Sequence, residues 1–277
     1  MRLAQSVGEK NMNRLEIVRR RLKKIEKKEK KWVERALKKE REPWYDKLTS
    51  KIPKAVESKL QLAFSKGFEL LFFKGSKLLA KTYPKETIHQ EYKISNFAFE
   101  VKGTKKSFEK IVNRARRAQI SNTALLAVEG LGMGITGMGI PDIPIFLALL
   151  LKGIYEIASC FGFDFESRNE SYFILILMEI AVLNGKEKIT ANQMVDEYIN
   201  RIARGEMKTY DFNEQLKRTA DVYATNTLFL KFLQGAPVIG IVGGLYNPVF
   251  YRRIARYARI KYEKRYLLQK TIELKNA

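Results

Sequence analysis

Apolar residues recur at helical spacing along most of the chain. Between residues 8 and 42 a thin seam of Leu15, Val18, Leu22, Ile25 and Trp32 runs through charged sequence, predicting one long helix stopped at Pro43 and followed by Trp44 and Tyr45. A second stripe after Ile52-Pro53 joins Val56, Leu60, Phe64, Phe68, Leu71 and Phe72, with Phe73, Leu78 and Leu79 widening it, and reads as a core-facing helix. Residues 82–103 are less regular. A long helix from Thr104 to about Ala127 follows, capped at Thr104 or Ser107. Next come a helix from Pro144 to about Phe161 ended by Gly162, and another capped by Ser167 or Asn169 that closes at Asn184-Gly185. Thr190 is the expected cap of a helix to Arg204-Gly205. Residues 211–234 and Asn247 or Pro248 to Leu274 complete the set, the last being basic and amphipathic. Sustained period-two alternation is almost absent, so the fold class is all-α, an irregular multi-helix bundle.

Two segments break the pattern. Ala124–Leu151 carries glycines at 130, 132, 134, 137 and 139 in apolar sequence, with Pro141 and Pro144 around Asp142. Phe232–Tyr251 is uncharged, with glycines at 235, 240, 243 and 244. Each helical glycine costs about 1 kcal/mol against alanine, so close backbone approach is the expected compensation, and the two segments are expected to pack centrally. Asp142 and Lys152 interrupt the first segment short of the roughly 20 apolar residues of a single span. Prolines and glycines make the second a poor isolated helix. A soluble or peripherally bound bundle is the expectation.

Charge changes the picture by where it sits. The formal net charge is +22, distributed as +11 in residues 1–60, +2 in 61–100, +6 in 101–120, −4 in 121–251 and +7 in 252–277. Basic arms around an apolar, slightly acidic middle ask for an anionic partner, and Arg19, Arg20, Lys23, Lys27, Arg114, Arg116 and Arg117 are the candidate contacts with an anionic lipid surface. Nucleic acid is disfavoured: Tyr251, Tyr257, Tyr262 and Tyr266 at helical spacing read as packing residues, and no recognised module surrounds them. One cysteine, Cys160, in an apolar run fits a reducing compartment and reads as buried and inert, and residues 1–30 lack the apolar block of a signal peptide, so the cytoplasmic side is expected.

Candidate chemistry is sparse. Gly132-Met-Gly134-Ile-Thr-Gly137 matches a dinucleotide fingerprint by letter, but Pro141 and Pro144 interrupt the helix it should open and no βαβ pattern surrounds it. With His89 the only histidine, a histidine-rich zinc site cannot be built and a Ser-His-Asp set has one possible base, so neither metal nor cofactor is expected. Carboxylates remain. Glu129, Asp142 and Glu170, with Asn247, could line an apolar pocket and act as acid and base; Glu166 and Glu179 belong to the same inventory. The competing expectation is that Asp142 caps a helix, Glu166 and Glu170 occupy a first turn, and Glu179 pairs with an arginine.

Three blocks in order resemble the EcsC family: Gly132-x-Gly134 through Gly139-Ile-Pro141-Asp142-Ile-Pro144, then Glu166-Ser-Arg168 leading to Tyr172-Phe-Ile-Leu, then Leu233-Gln-Gly235-Ala-Pro237-Val-Ile-Gly240. The third continues to Asn247 and to Ala258–Tyr262 and Arg265-Tyr266-Leu267-Leu268. The resemblance covers residues 50–275 and divides the chain into a basic arm, 1–43, and an EcsC-like helical domain, 44–277. It implies a bacterial accessory protein encoded beside an ABC-type exporter and associated with secretion, with exporter subunits as partners. It carries over no catalytic residue. The positions it marks are Gly134, Asp142, Pro144, Arg168, Gln234, Gly235, Pro237, Asn247 and Arg265. The expected function is a non-catalytic scaffold peripheral to the inner face of the cell membrane, and the alternative is a lipid-handling or hydrolytic enzyme.

Overall fold

The computed structural model describes residues 2–37, 54–75, 79, 81–133, 142–206, 210–233 and 248–276. Among these, nine α-helices follow one another: α1 Arg2–Leu37, α2 Lys54–Glu69, α3 Lys85–Lys102, α4 Lys105–Met133, α5 Asp142–Cys160, α6 Arg168–Val182, α7 Gly185–Ala203, α8 Phe212–Leu233 and α9 Pro248–Asn276. A π-helical turn, Leu70–Gly75, extends α2. The described residues contain no strand, and the architecture is all-α. Residues 134–141 and 234–247, the core of the two glycine-rich segments, lie outside the described residues, as do Pro43, Trp44 and Tyr45, and so does the expected packing of the two segments.

The apolar stripes become core. Leu60, Phe64, Phe68, Leu71 and Phe72 are buried along α2 and its extension, whereas Phe73 turns outward on the face that carries Leu62 and Leu70. Its ring still meets Phe212 edge-on at 5.6 Å. In α5, Phe146, Leu147, Leu150, Leu151, Ile154, Ile157 and Ala158 are buried. By length and composition Ile143–Cys160 could cross a membrane, but two-thirds of it is buried against α2, α3, α4 and α9, as in a core helix. Gly162 ends the turn after α5 at φ +81°, a left-handed conformation in which a Cβ would also strike the Tyr92 ring.

Several boundaries differ from the sequence reading: α1 begins at Arg2 rather than near residue 8, and α4 runs on to Met133 rather than ending near Ala127. Residues 85–102 form α3, whose periodicity is faint because its fully buried contacts are few, chiefly Ile88 and Phe99. α7 begins at Gly185, five residues before Thr190. Lys188, on its first turn, donates to the carbonyls of Ala181 (3.1 Å) and Leu183 (3.0 Å), binding the two helices at their junction. The other caps agree: the Thr104 hydroxyl accepts from the Ser107 amide at 3.3 Å, and Ser167 accepts from the Glu170 amide at 3.2 Å.

The last helix organises the rest. α9 packs against α1, α4, α5, α6 and α7. At Gly153 on α5 the close approach is extreme, because the Tyr251 hydroxyl stands 1.9 Å from where a Cβ would be. Gly153→Ala gains about 1 kcal/mol of helix propensity but meets an overpacking cost of roughly 1–3 kcal/mol against a buried tyrosine. The expected outcome is a lower melting temperature, largely restored by adding Tyr251→Phe, since that hydroxyl is buried without a partner. An unchanged melting temperature in Gly153→Ala would contradict the packing.

Candidate functional site

Of nine basic side chains on α9, Arg252, Arg256 and Lys275 face water. The other six form a ladder of hydrogen bonds and ion pairs, most of them to residues of other helices. Near its start, Arg253 donates to the carbonyls of Leu183 (2.6 Å) and Val182 (3.3 Å) and to Asn184 Oδ1 (2.7 Å), covering the unsatisfied C-terminus of α6. Burial pulls its guanidinium down to about 10, which leaves it charged at neutral pH. One turn on, Tyr257 donates to Asn192 (2.9 Å) and stacks on Trp32 of α1 with centroids 4.3 Å apart. Lys188 sits 3.5 Å over the Trp32 ring, so the indole is held from both of its neighbours.

Arg259 bridges Gln119 of α4 (2.8 Å) and Glu263 (3.0 Å), and Glu263 also accepts from Arg21 of α1 at 2.5 Å. Lys261, with no exposed surface, pairs with Glu29 of α1 and with Asp196 of α7 (2.5 Å). Lys264 reaches the same two carboxylates at 2.9 and 2.8 Å. Burial alone would push the Glu29 carboxyl up, but the two ammonium groups bring it below its usual value. Burial pulls Lys261 below its ordinary value against the opposing pull of Glu29 and Asp196. The upper rungs join Arg265 to Glu170 through two bonds of 2.9 and 2.7 Å, with Tyr262 donating to the same carboxylate at 2.7 Å. The Arg265 guanidinium also lies 4.2 Å from the centroid of Phe163. Lys270 ends the ladder on Glu100 (3.0 Å) and Glu273 (2.6 Å).

A pocket of about 200 Å³ opens between α6, α7 and α8. One wall is aromatic: Tyr172 stacks on Tyr210 at 4.6 Å, and Tyr198 lies 5.1 Å from Tyr210. At one end Glu179 accepts from Gln215 and from Arg218 (3.1 Å). Glu197 and Arg201, paired along α7, line it as well. Its carboxylates are therefore already matched by arginines.

The sequence candidates scatter. Glu170 and Arg265 meet in the ladder. Arg168 opens α6 with its guanidinium 5.8 Å from the Phe212 ring, and Pro144 lies in the first turn of α5. Glu129 is on α4 and Asp142 begins α5, but neither side chain is among those described; Gly134, Gln234, Gly235, Pro237 and Asn247 lie outside the described residues altogether. Glu166 pairs with Lys85 at 2.7 Å and Glu179 with Arg218. Arg19, Arg20, Lys23 and Lys27 are exposed on α1, and Arg116 and Arg117 on α4, whereas Arg114 is held at 2.7 Å by Glu91. Cys160 is buried, and burial pushes its thiol up to about 12. His89 is exposed. Residue spacing did not single out Glu29, Asp196 or Lys261; the available signal was the excess of acid in the middle of the chain opposite a basic last helix.

A model of the EcsC protein family matches residues 16–267, nine-tenths of the chain. The chain belongs to the EcsC family. The match begins inside α1 and reaches Leu267 on α9, so it takes in the docked seam of the N-terminal helix and the ladder through Arg265. Protein EcsC of Bacillus subtilis (strain 168) is 24% identical over 159 residues, covering 55% of this chain and 62% of that protein's length. No solved structure matches significantly. Within this EcsC chain, α1 is not a free arm: Val18 and Ile25 are buried and Leu22 and Trp32 pack against the same core.

Proposed function

We propose that this EcsC-family chain is a non-catalytic accessory protein at the cytoplasmic face of the membrane, working beside an ABC-type exporter in protein secretion. One observation carries the membrane part. α1 is docked by its apolar seam, and the opposite face presents Arg19, Arg20, Lys23 and Lys27 to solvent. A polybasic surface gains about 1 kcal/mol per Lys or Arg near an anionic leaflet. The exporter link rests on family membership alone. An enzymatic role would need an uncommitted carboxylate at a pocket, and Glu170 and Glu179 are engaged by Arg265 and by Arg218 with Gln215.

The docked seam decides the design of the test. Removing residues 1–42 would strip Glu29 from Lys261, so the charge must be changed in place. Arg19→Gln, Arg20→Gln, Lys23→Gln and Lys27→Gln together keep helix propensity and touch only exposed side chains. Flotation with phosphatidylglycerol-containing vesicles is expected to fall roughly 100-fold or more in partition coefficient, with neutral vesicles binding little in either case. Equal binding to neutral and anionic vesicles by the unaltered protein overturns the membrane reading. Crosslinking to the membrane subunit of an ABC-type exporter, in the native host, tests the partner.

A further inference from the structure

The second helix pair carries a surface that charge alone does not explain. α3 turns Ile88 and Phe99 inward, and the Tyr92 ring meets Tyr266 edge-on at 6.2 Å. Its outer face presents Ile94, Phe97 and Val101, which are 69%, 66% and 53% exposed. Their spacing of three and four places them on one helical stripe two turns long. Single exposed apolar residues are ordinary on protein surfaces, whereas three in register on one face are a patch. Asn13 of α1 donates to the Gly103 carbonyl (3.1 Å) and Arg14 to the Glu100 carbonyl (2.6 Å), so the start of α1 meets the end of α3. Met12, next to them in the chain, is 73% exposed.

The rim is cationic. Lys93 and Lys102 are exposed on α3, and Lys105 and Lys106 on the first turn of α4. Of the carboxylates on these two helices, Glu91, one turn before Ile94, is paired with Arg114 at 2.7 Å, Glu100 accepts from Lys270 and Asn96, and Glu109 is paired with Lys105 at 3.7 Å. Apolar side chains ringed by ammonium groups suit the boundary between acyl chains and anionic headgroups, where a helix lies with its apolar face roughly 5–10 Å deep. A second copy suits it poorly, because a two-fold contact would set each lysine rim against its own image. Nucleic acid would leave the apolar stripe without a partner.

We propose that the Ile94–Phe97–Val101 stripe inserts into the interface of an anionic bilayer while the flanking lysines hold the headgroups. This rests on the membrane reading above and names the face that makes contact. Long-range attraction through α1 brings the protein to the surface, and the stripe supplies the part of binding that salt does not remove.

The single buried cysteine makes the test direct, since Cys160 is shielded from labelling reagents. Phe97→Cys carrying an environment-sensitive nitrobenzoxadiazole probe is to be mixed with vesicles of phosphatidylcholine and phosphatidylglycerol. Emission should shift to the blue and rise several-fold; the same probe at Lys217→Cys, exposed on α8, should not respond. Unlabelled Ile94→Ser/Phe97→Ser should fold normally and lose roughly thirtyfold in partitioning at a salt concentration that screens the lysines. Flotation with anionic vesicles and a silent probe at 97 overturns the insertion but leaves the membrane reading standing. Failure to float overturns both. A probe at 97 that responds to protein concentration without vesicles assigns the face to a second copy and overturns the proposal.

Discussion

In Glu170→Ala, thermal unfolding is expected about 10 °C below that of the unaltered protein, from a loss of about 3–5 kcal/mol at roughly 2–4 °C per kcal/mol. The reason is what stays behind. Arg265 and Tyr262 are buried, both point at the missing carboxylate, and each loses a charge-assisted hydrogen bond in a site shielded from bulk water. The same geometry predicts a rescue. Glu170→Leu with Arg265→Met and Tyr262→Phe removes the whole polar group, and most of the lost stability should return, because well-packed apolar replacements of a buried pair are often neutral or better. Differential scanning calorimetry of the single and triple variants checks both halves. A single variant that melts within 2 °C of the parent would show that the pair carries no structural weight, and would reopen Glu170 as a chemical group.

Glu29→Ala is expected to release α1. The substitution leaves two buried or half-buried ammonium groups, Lys261 and Lys264, sharing Asp196. The cost again falls near 3–5 kcal/mol, so amide exchange in residues 18–32 should accelerate by roughly 100-fold or more. Pairing Glu29→Leu with Lys261→Met restores charge balance through Lys264 and Asp196 and should recover protection. Loss of the exposed Arg20–Glu16 pair should change little. Acid provides a second route to the same state. The Glu29 carboxyl is held below its ordinary value of 4.5 in the fold. Its stabilisation is therefore complete above the unfolded value and is lost as pH falls through the folded one. Exchange measured from pH 6 downward should show α1 loosening below about pH 4.5, selectively over α5 and α6. Uniform loosening of all helices would contradict a local cause.

Helix positions were largely legible because α2, α5, α6 and α8 bury strongly apolar faces whose period survives in the letters. α3 was not, since its outward stripe of Ile94, Phe97 and Val101 competes with its inward pair, and the two sets blur the moment that marks a buried face. The start of α7 was misread because Thr190 offers a good local cap, while the actual boundary is tied down by Lys188 and Arg253 from opposite sides of the chain. The basic last helix resisted for a deeper reason. Lysine and arginine signal solvent only when their partners are water, and the partners of Lys261 and Arg265 sit 65 to 232 residues away in sequence. Glu170 and Arg265 were both marked as notable, but spacing could not join them. The tyrosine wall of the α6–α8 pocket likewise draws on three elements, and no local pattern connects Tyr172 with Tyr198 and Tyr210.

A ribosome delivers this chain from its amino end, so α1 and α4 through α7 emerge before the helix that neutralises them. Until residues 253–270 leave the exit tunnel, Glu29, Glu170 and Asp196 have no counter-ions in place, and the grooves meant for α9 stand open to water. Nascent molecules should then dwell in a loosened, chaperone-binding state, and α1 and α9 must join residues 232 positions apart, Glu29 and Lys261, to end it. Removing α9 from Arg253 onward is a change that synthesis itself would feel, through degradation of a product that never consolidates.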